Sequence, residues 1–252
     1  MRSPTVRLGN RGPVIPRLIF GTEHIVHLDP SEGGRLLDEA RRELGLFHWD
    51  TAPAYGSHPH VAEGMALANR EEVLVTSKVP SPSRDGARQD LAGILRDLDT
   101  EYLDICFLHN VKAGEYDLHA PALNYLVEAR DRGLVRHVGI SSHVPSVLRR
   151  AVSEETIDIV CGTLNLDGSR IDGDETLEDM KCALGECHAA GKGIYVIKVL
   201  GVGDLVSDLT GAIGYAVKQR FVHACNIGMR DLDQARENLE IIIDSLGEDE
   251  DG

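Results

Sequence analysis

The sequence predicts a single-domain (β/α)8 TIM barrel, and three observations favour this fold class. Short apolar segments typical of buried strands alternate with helical segments eight times along the 252 residues, and such alternation predicts a parallel sheet covered by helices. The chain length is close to that of a barrel of eight such units. No linker rich in Gly, Ser or Pro interrupts the alternation, so we expect one domain over residues 1–247 and a disordered acidic tail over residues 248–252.

The individual elements follow from local signals. Residues 7–17 contain two short apolar runs around Asn10-Arg11-Gly12, which predicts a β-hairpin. The eight strands are expected at residues 18–22, 46–50, 73–77, 103–108, 135–140, 157–164, 193–199 and 222–227. The eight helices are expected near residues 29–44, 59–69, 87–98, 120–132, 146–152, 175–190, 209–218 and 232–245. Asp29 or Ser31 can cap the first helix, and Gly133 is placed to end the fourth.

Composition excludes several classes of protein. The net charge of -15 leaves no basic surface for a nucleic acid. No apolar run is long enough to span a membrane, and the N-terminus lacks the apolar core of a signal peptide, so we expect a cytoplasmic protein that binds neither nucleic acid nor membrane. The five cysteines contain no CxxC pair. They are therefore interpreted as free thiols, which leaves out a disulfide framework or an iron–sulfur cluster.

Polar residues stand where the predicted strands end. In chain order these ends are Thr22, Asp50, Lys78, His109, Ser141, Asn165, Lys198 and Gly228. In a barrel of this class the chemistry lies at the carboxyl ends of the strands. An acid, a lysine and a histidine end three consecutive strands, and Tyr55 follows Asp50 on a loop bounded by Pro53 and Gly56. We expect these four side chains to meet at one rim of the barrel.

The four groups suit the delivery of a proton to an oxygen atom. A tyrosine holds its proton firmly at pH 7, and a nearby lysine ammonium favours the phenolate and lowers the tyrosine pKa. Asp50 can supply the counter-charge that keeps Lys78 protonated. His109 can donate a hydrogen bond to a substrate carbonyl or share in a proton relay. Reduction of a carbonyl by hydride transfer from a cofactor needs such a set.

Residues 49–56 (WDTAPAYG), 76–78 (TSK) and 108–110 (LHN) resemble the corresponding segments of the aldo-keto reductases. The resemblance extends over nearly the whole chain. It implies a (β/α)8 barrel whose bottom is closed by the hairpin, and NADPH-dependent reduction of a small aldehyde or ketone to the alcohol, without a metal. It also implies a catalytic tetrad of Asp50, Tyr55, Lys78 and His109, with Tyr55 as the proton donor.

The same resemblance implies a set of cofactor-binding residues. Residues 200–205 look like the family's pyrophosphate loop, and Arg230 lies at a helix N-terminus that favours the 2′-phosphate of NADPH, with NADH as the other possibility. Ser142, Cys161 and Ile197 depart from the family pattern around the nicotinamide. The full implied set is Gly21, Thr22, Ser141, Ser142, Asn165, Lys198, Leu200, Gly201, Gly203, Gly228, Arg230, Gln234, Glu237 and Asn238.

Two other functions remain open at this point. The departures from the pattern and the short loops are compatible with a non-enzymatic barrel that binds NADP(H) as a sensor or regulatory subunit. Lys198 ends a strand and, if desolvated, could act as the nucleophile of a Schiff-base lyase. For the reductase, the short loops suggest an open pocket of weak specificity, and we expect a monomer or a weak homo-oligomer.

Overall fold

A computed structural model describes residues 1–247 of the chain. The predicted acidic tail, residues 248–252, lies outside the described residues. The strands are β1 (Thr5–Arg7), β2 (Val14–Pro16), β3 (Leu18–Gly21), β4 (His48–Asp50), β5 (Leu74–Val79), β6 (Leu103–Leu108), β7 (Val135–Ser142), β8 (Ile159–Thr163), β9 (Gly193–Ile197) and β10 (Ala224–Gly228). The α-helices are α1 (Pro30–Glu39), α2 (His58–Ala66), α3 (Arg84–Asp97), α4 (Ala120–Asp131), α5 (Pro145–Arg150), α6 (Leu177–Ala189), α7 (Leu209–Val217) and α8 (Leu232–Gly247).

Strands β3 to β10 form a closed parallel barrel, which confirms the predicted fold class. Each strand pairs with the next along the chain, and β10 returns to pair with β3. The closing register places Cys225 beside Leu18 and Gly228 beside Gly21. Because all eight strands run parallel, their carboxyl ends lie at the same end of the barrel, and the helices between them cover its outer wall.

The hairpin of β1 and β2 closes the opposite end of the barrel, as predicted. The two strands pair antiparallel with Val6 beside Ile15. The turn between them contacts the start of β9, because Asn10 N donates to Gly191 O at 2.9 Å. Leu8 and Ile15 are fully buried in the cluster that fills the barrel interior. The amino end of the barrel is therefore plugged, and the carboxyl end is left for the site.

Two apolar clusters flank the barrel wall, because successive residues of a strand point to opposite faces. The inner cluster includes Phe107, Cys161 and Tyr195, and the larger outer cluster lies between strands and helices. Trp49 belongs to the outer cluster and donates its indole N–H to Leu46 O at 3.0 Å. Its neighbour Asp50 consequently faces the inside of the barrel.

The connection into β4 differs from the prediction in its boundaries. The capping box of Asp29 and Glu32 starts α1, and the helix continues into a π-helical turn over Ala40–Leu44 that ends at Gly45 with φ of 73°. Leu46 N still donates to Ala40 O of that turn at 3.2 Å. Ladder pairing therefore begins only at His48, not at residue 46. Strand β5, by contrast, continues to Val79, so Lys78 lies within the strand and not at its end.

Candidate active site

Four polar side chains predicted to meet are carried by three consecutive strands and the loop after the first of them. Asp50 is the last residue of β4, Lys78 is the penultimate residue of β5, and His109 follows β6. Tyr55 lies on a 3-10 turn over Pro53–Tyr55, which Gly56 ends in a left-handed conformation with φ of 71°. Because the turn is short and Gly56 fixes the direction in which the chain leaves it, Tyr55 stays close to the end of β4.

Lys78 and Asp50 form an ion pair in the interior. Lys78 Nζ donates to Asp50 Oδ1 at 2.6 Å and to the Thr51 carbonyl at 2.8 Å. The two side chains are 2% and 1% exposed. Burial by itself lowers the pKa of Lys78, but the charge of Asp50, assisted by Tyr55, outweighs burial and raises this pKa above the ordinary value. Lys78 is therefore a fixed cation.

Tyr55 and His109 stand above this pair with their rings at right angles. Their centroids are 6.3 Å apart with an interplanar angle of 81°, and Lys78 Nζ lies 4.8 Å from the centre of the Tyr55 ring. Burial raises the pKa of Tyr55, although Lys78 acts in the opposite direction as the sequence argument expects. Burial, with the charge of Lys78 in support, lowers the pKa of His109 to about 4. At neutral pH the cluster thus holds a protonated phenol and an uncharged imidazole.

The second carboxylate oxygen of Asp50 has a partner that sequence reasoning missed. The hydroxyl of Tyr195, on the inner face of β9, donates to Asp50 Oδ2 at 2.6 Å. Tyr195 is fully buried. The signal was available in the sequence, since a single tyrosine interrupts the aliphatic run 193–197 in a chain with only 4% aromatic residues. Alternation could have placed it inside the barrel, but it could not have chosen the partner.

Three buried hydroxyls hold the loop that carries Tyr55. Thr22 donates to the Asp50 carbonyl at 2.9 Å, and its oxygen lies 2.7 Å from Ser57 Oγ. Thr51 Oγ1 lies 2.7 Å from the same Ser57 oxygen. Because these contacts tie the two ends of residues 50–57 together, Thr22 supports the loop. Thr22 is not part of the lining of the adjoining cavity, and the cofactor contact that the resemblance implies for it stays a prediction.

A cavity of about 610 Å³ opens beside this cluster. It is bounded by Asp50 and Tyr55, by the loops after β3 and β9, and by the start of α8. Nine of the implied cofactor residues line it: Gly21, Lys198, Leu200, Gly203, Gly228, Arg230, Gln234, Glu237 and Asn238. Five do not: Thr22, Ser141, Ser142, Asn165 and Gly201.

The residues that stay outside the cavity have internal partners. The Ser141 hydroxyl donates to Leu108 O at 3.2 Å and accepts from Asn110 N at 2.9 Å, so it holds the turn on both sides of His109. The Ser142 hydroxyl donates to Val111 O at 2.6 Å. Both serines therefore fix the loop after β6. Asn165 Nδ2 donates to Lys198 O at 3.2 Å, while its buried Oδ1 has no hydrogen-bond partner within residues 1–247.

The loop after β9 lines the cavity, and its backbone is strained at two residues. Lys198 and Val202 have φ of 60° and 62°, although neither is glycine, and left-handed backbone at a β-branched residue is costly. Arg170 anchors this loop through Asp204 and the Gly201 carbonyl. The Lys198 side chain is 26% exposed, and Nζ lies 3.7 Å from Glu23 Oε2. An accessible, paired lysine of this kind lacks the desolvation that the Schiff-base interpretation needs.

The start of α8 supplies a positive end to the cavity. Arg230 is exposed, and its backbone N–H donates to Gln234 Oε1 at 3.1 Å. Gln234 N donates to the Asp231 carboxylate at 2.8 Å, so that carboxylate caps the helix and Arg230 is the group here that favours an anion. Sequence reasoning left out several residues of the wall, notably Glu23 and Asn226. Asn226 is 8% exposed and comes from the inner face of β10.

Over residues 1–247, no group of three or more His, Cys, Asp or Glu side chains is arranged to hold a metal ion. Over the same residues, none of the helices is both long and apolar enough to cross a membrane.

The fold and the site define a (β/α)8-barrel protein with an Asp–Lys–Tyr–His cluster at its carboxyl mouth. The chain belongs to the aldo/keto reductase family, whose model matches residues 17–208. It is 26% identical over 168 residues to the methylglyoxal reductase DkgA of Escherichia coli O157:H7, a match covering 66% of this chain and 59% of DkgA. It is 25% identical to the D-galacturonate reductase of Fragaria ananassa, covering 98% and 89% of the two chains.

Solved structures share the architecture. The holo form of the aldo-keto reductase AKR11C1 from Bacillus halodurans superposes with a TM-score of 0.78 at 21% identity, covering 96% of this chain and 91% of that one. At this identity the likeness concerns the fold alone. The chain spans 59% of the length of the first curated relatives that it matches, DkgA among them.

Proposed function

We propose that the protein is an NADPH-dependent reductase that converts aldehydes or ketones to alcohols, with Tyr55 as the proton donor. The observation that carries this proposal is the buried Lys78–Asp50 pair, 2.6 Å long, directly beneath the Tyr55 ring. A phenol above a fixed cation can give its proton to a carbonyl oxygen as negative charge develops on that oxygen during reduction, because the cation stabilises the phenolate that remains.

The chemistry of the four side chains follows from their protonation states. Tyr55 gives its hydroxyl proton to the carbonyl oxygen, and Lys78 stabilises the phenolate that remains. Asp50 keeps Lys78 charged in the dry interior. His109, uncharged because burial lowers its pKa to about 4, donates a ring N–H to the carbonyl oxygen and orients it.

The cavity residues fit a nicotinamide dinucleotide. The cavity extends from Tyr55 to the start of α8, so it reaches both the chemistry and an anion-binding helix end. A Cβ at Gly228 would come within 2.3 Å of the His24 ring, so glycine here lets the His24 side chain lie against this wall of the cavity. Asn165 does not line the cavity, but its buried Oδ1 has no hydrogen-bond partner within residues 1–247, and an amide group that reached it would satisfy this acceptor. The bound cofactor would supply the hydride.

The arginine at the start of α8 supports NADPH over NADH. Arg230 is exposed just before α8, where its guanidinium suits a phosphate. Glu23 and Glu237 also line the cavity. On a protein of net charge -15, local cations decide whether an anionic cofactor is retained.

The proposal is tested by following NADPH oxidation with a panel of small carbonyl compounds that includes methylglyoxal and D-galacturonate. We expect turnover that Tyr55→Phe abolishes, with the NADPH Kd unchanged within about twofold, since the phenyl ring is retained. Tyr215→Phe, on α7 outside the barrel, is the matched control and should behave as wild type. Folded protein that binds NADPH but reduces no member of the panel would favour the regulatory alternative.

A further inference from the structure

The buried carboxylate of Asp50 has two oxygens, and each needs a hydrogen-bond donor. Oδ1 receives one from Lys78 at 2.6 Å. Oδ2 receives one from the hydroxyl of Tyr195, also at 2.6 Å. At 1% exposure Asp50 cannot rely on water for either contact. Tyr195 is thus the only donor to Oδ2 among the residues that the structure describes.

Tyr195 is held so that its hydroxyl cannot turn away. The ring is fully buried on the inner face of β9 and is packed edge-on by two other rings. The His48 centroid lies 6.0 Å away at 87°, and the Phe107 centroid lies 5.5 Å away at 80°. Rings packed in this way do not exchange rotamers without opening the core.

Polar groups also stand close to the Tyr195 ring. Because a carboxylate only accepts, Tyr195 must donate its hydroxyl proton to Asp50. Thr76 Oγ1 lies 2.8 Å from His48 Nε2, and burial lowers the pKa of His48 to about 4, so this ring is uncharged at neutral pH. The ring that packs edge-on against Tyr195 therefore brings no charge that competes with Lys78 for Asp50.

The orientation of Asp50 sets the position of Lys78. An ammonium has three N–H donors, and Lys78 directs two of them at Asp50 Oδ1 and the Thr51 carbonyl. The third can then face the Tyr55 ring, whose centre is 4.8 Å from Nζ. The terminal torsion of an aspartate is broad. If Oδ2 were free, the carboxylate could rotate and bind Lys78 with both oxygens, drawing it away from Tyr55.

We propose that Tyr195 is a positioning residue of this site: by holding Asp50 Oδ2, it makes Asp50 present a single oxygen to Lys78 and so keeps the ammonium against Tyr55. The proposal rests on the function proposed above, in which Tyr55 is the acid. Tyr195 touches neither of the groups that would react. It acts through Asp50 and Lys78.

A positioning role predicts two opposite changes. Loss of the Tyr195 hydroxyl leaves more negative charge on Asp50 and a tighter Lys78 pair, so Lys78 lowers the pKa of Tyr55 less. A stronger donor at position 195 withdraws charge from Asp50 and leaves Lys78 more effective toward Tyr55. A purely structural role, in which the ring only fills space, predicts neither change.

The first test is Tyr195→Phe, which removes one oxygen and keeps the ring. We expect kcat for carbonyl reduction to fall about tenfold, as for loss of one charge-assisted hydrogen bond at the site, with the NADPH Kd within about twofold of wild type. The alkaline limb of the pH profile should move to higher pH. Unchanged kcat and an unchanged profile in folded enzyme would overturn the proposal.

The second test replaces residue 195 by 3-fluorotyrosine, which keeps the volume and hydroxyl but is a stronger donor. The alkaline limb should now move to lower pH, opposite to Tyr195→Phe. Because the shape is retained, this protein decides the question if the phenylalanine variant does not fold. Phe107→Leu, which loosens the same cluster without removing a polar contact, should leave the midpoint of the limb unshifted. A shift of the same sign in all three would refute a positioning role.

The final readout does not depend on activity. Ultraviolet titration of tyrosinate, with Tyr55→Phe as the difference reference, follows the ionisation of Tyr55 in the free protein. Its midpoint should rise in Tyr195→Phe and fall with 3-fluorotyrosine at position 195. If wild-type protein shows no turnover but these shifts occur, the proposed function fails and the positioning role stands. If turnover occurs without the shifts, only the positioning role fails.

Discussion

Removing the charge of Asp50 while keeping its shape should destabilise the protein strongly, because Lys78 would lose its counter-charge in a dry interior. Asp50→Asn retains an acceptor for Lys78, and the Tyr195 hydroxyl can reverse its bond to the new amide. The side chains of the pair are only 1% and 2% exposed. Breaking a buried pair by removing one partner costs about 3–5 kcal/mol, and at the low end this lowers the Tm by roughly 6–12 °C for a chain of this size.

The pH dependence of that loss identifies its cause. In the wild type the pKa of Lys78 is raised, so the stability it contributes is complete below the unfolded value of about 10.4 and is lost only at higher pH. In Asp50→Asn, burial is no longer opposed and the pKa of Lys78 falls below the unfolded value. The variant should therefore gain stability as pH rises, by at most about 1.4 kcal/mol per pH unit between pH 7 and 10.

The assay is urea denaturation at pH 7, 8.5 and 10. Glu128→Gln is the matched control, since Arg84 and Glu128 form a surface pair at 2.6 Å with both side chains 52% exposed. Loss of this exposed pair should have a much smaller effect on stability, independent of pH over this range. Equal losses for the two variants, or a gap between wild type and Asp50→Asn that stays constant from pH 7 to 10, would refute the reasoning.

Three further predictions concern the site. Because the pKa of His109 is about 4 and that of Tyr55 is raised, the profile of kcat/KM for reduction should show no His109 limb between pH 5.5 and 7.5, and its alkaline limb should lie above the ordinary tyrosine value. Arg230→Ala should weaken NADPH binding about tenfold and leave NADH nearly unaffected, measured by fluorescence quenching with Arg88→Ala as control; equal losses for both cofactors would contradict a 2′-phosphate contact. Thr22→Val should cost about 1–3 kcal/mol in stability and lower kcat without changing the NADPH Kd, since its hydroxyl supports the Tyr55 loop; a weakened Kd with normal stability would instead place Thr22 at the cofactor.

Most of the fold could be predicted from periodicity. The strand and helix order and the hairpin follow from residue-by-residue patterns, which are local. The boundaries are less predictable, as β4 demonstrates: residues 46 and 47 are apolar, but Leu46 bonds to the preceding helical turn and pairing begins at His48. Competition between two backbone partners is settled by the arrangement of neighbouring elements, which the sequence pattern does not contain.

For the candidate site too, the sequence predicts which residues lie together but not all of their contacts. Asp50, Lys78 and His109 could be expected together because the carboxyl ends of parallel strands meet at one rim. The role of Ser141 is different, since its hydroxyl holds the turn around His109. The resemblance implies a cofactor contact for Ser141, which stays a prediction, and a residue type at a matching position does not reveal these two internal hydrogen bonds.

The sequence by itself determined the order of elements, the closed barrel and the set of ionisable groups at its mouth, because these follow from the period of apolar residues and the ends of strands. Only the tertiary structure decided the charge states and the supporting contacts. Burial raises the pKa of Tyr55 against the effect of Lys78, and Tyr195 reaches Asp50 across 145 residues of chain. Both results depend on distance and desolvation in three dimensions, which arise only when the eighth strand closes on the first.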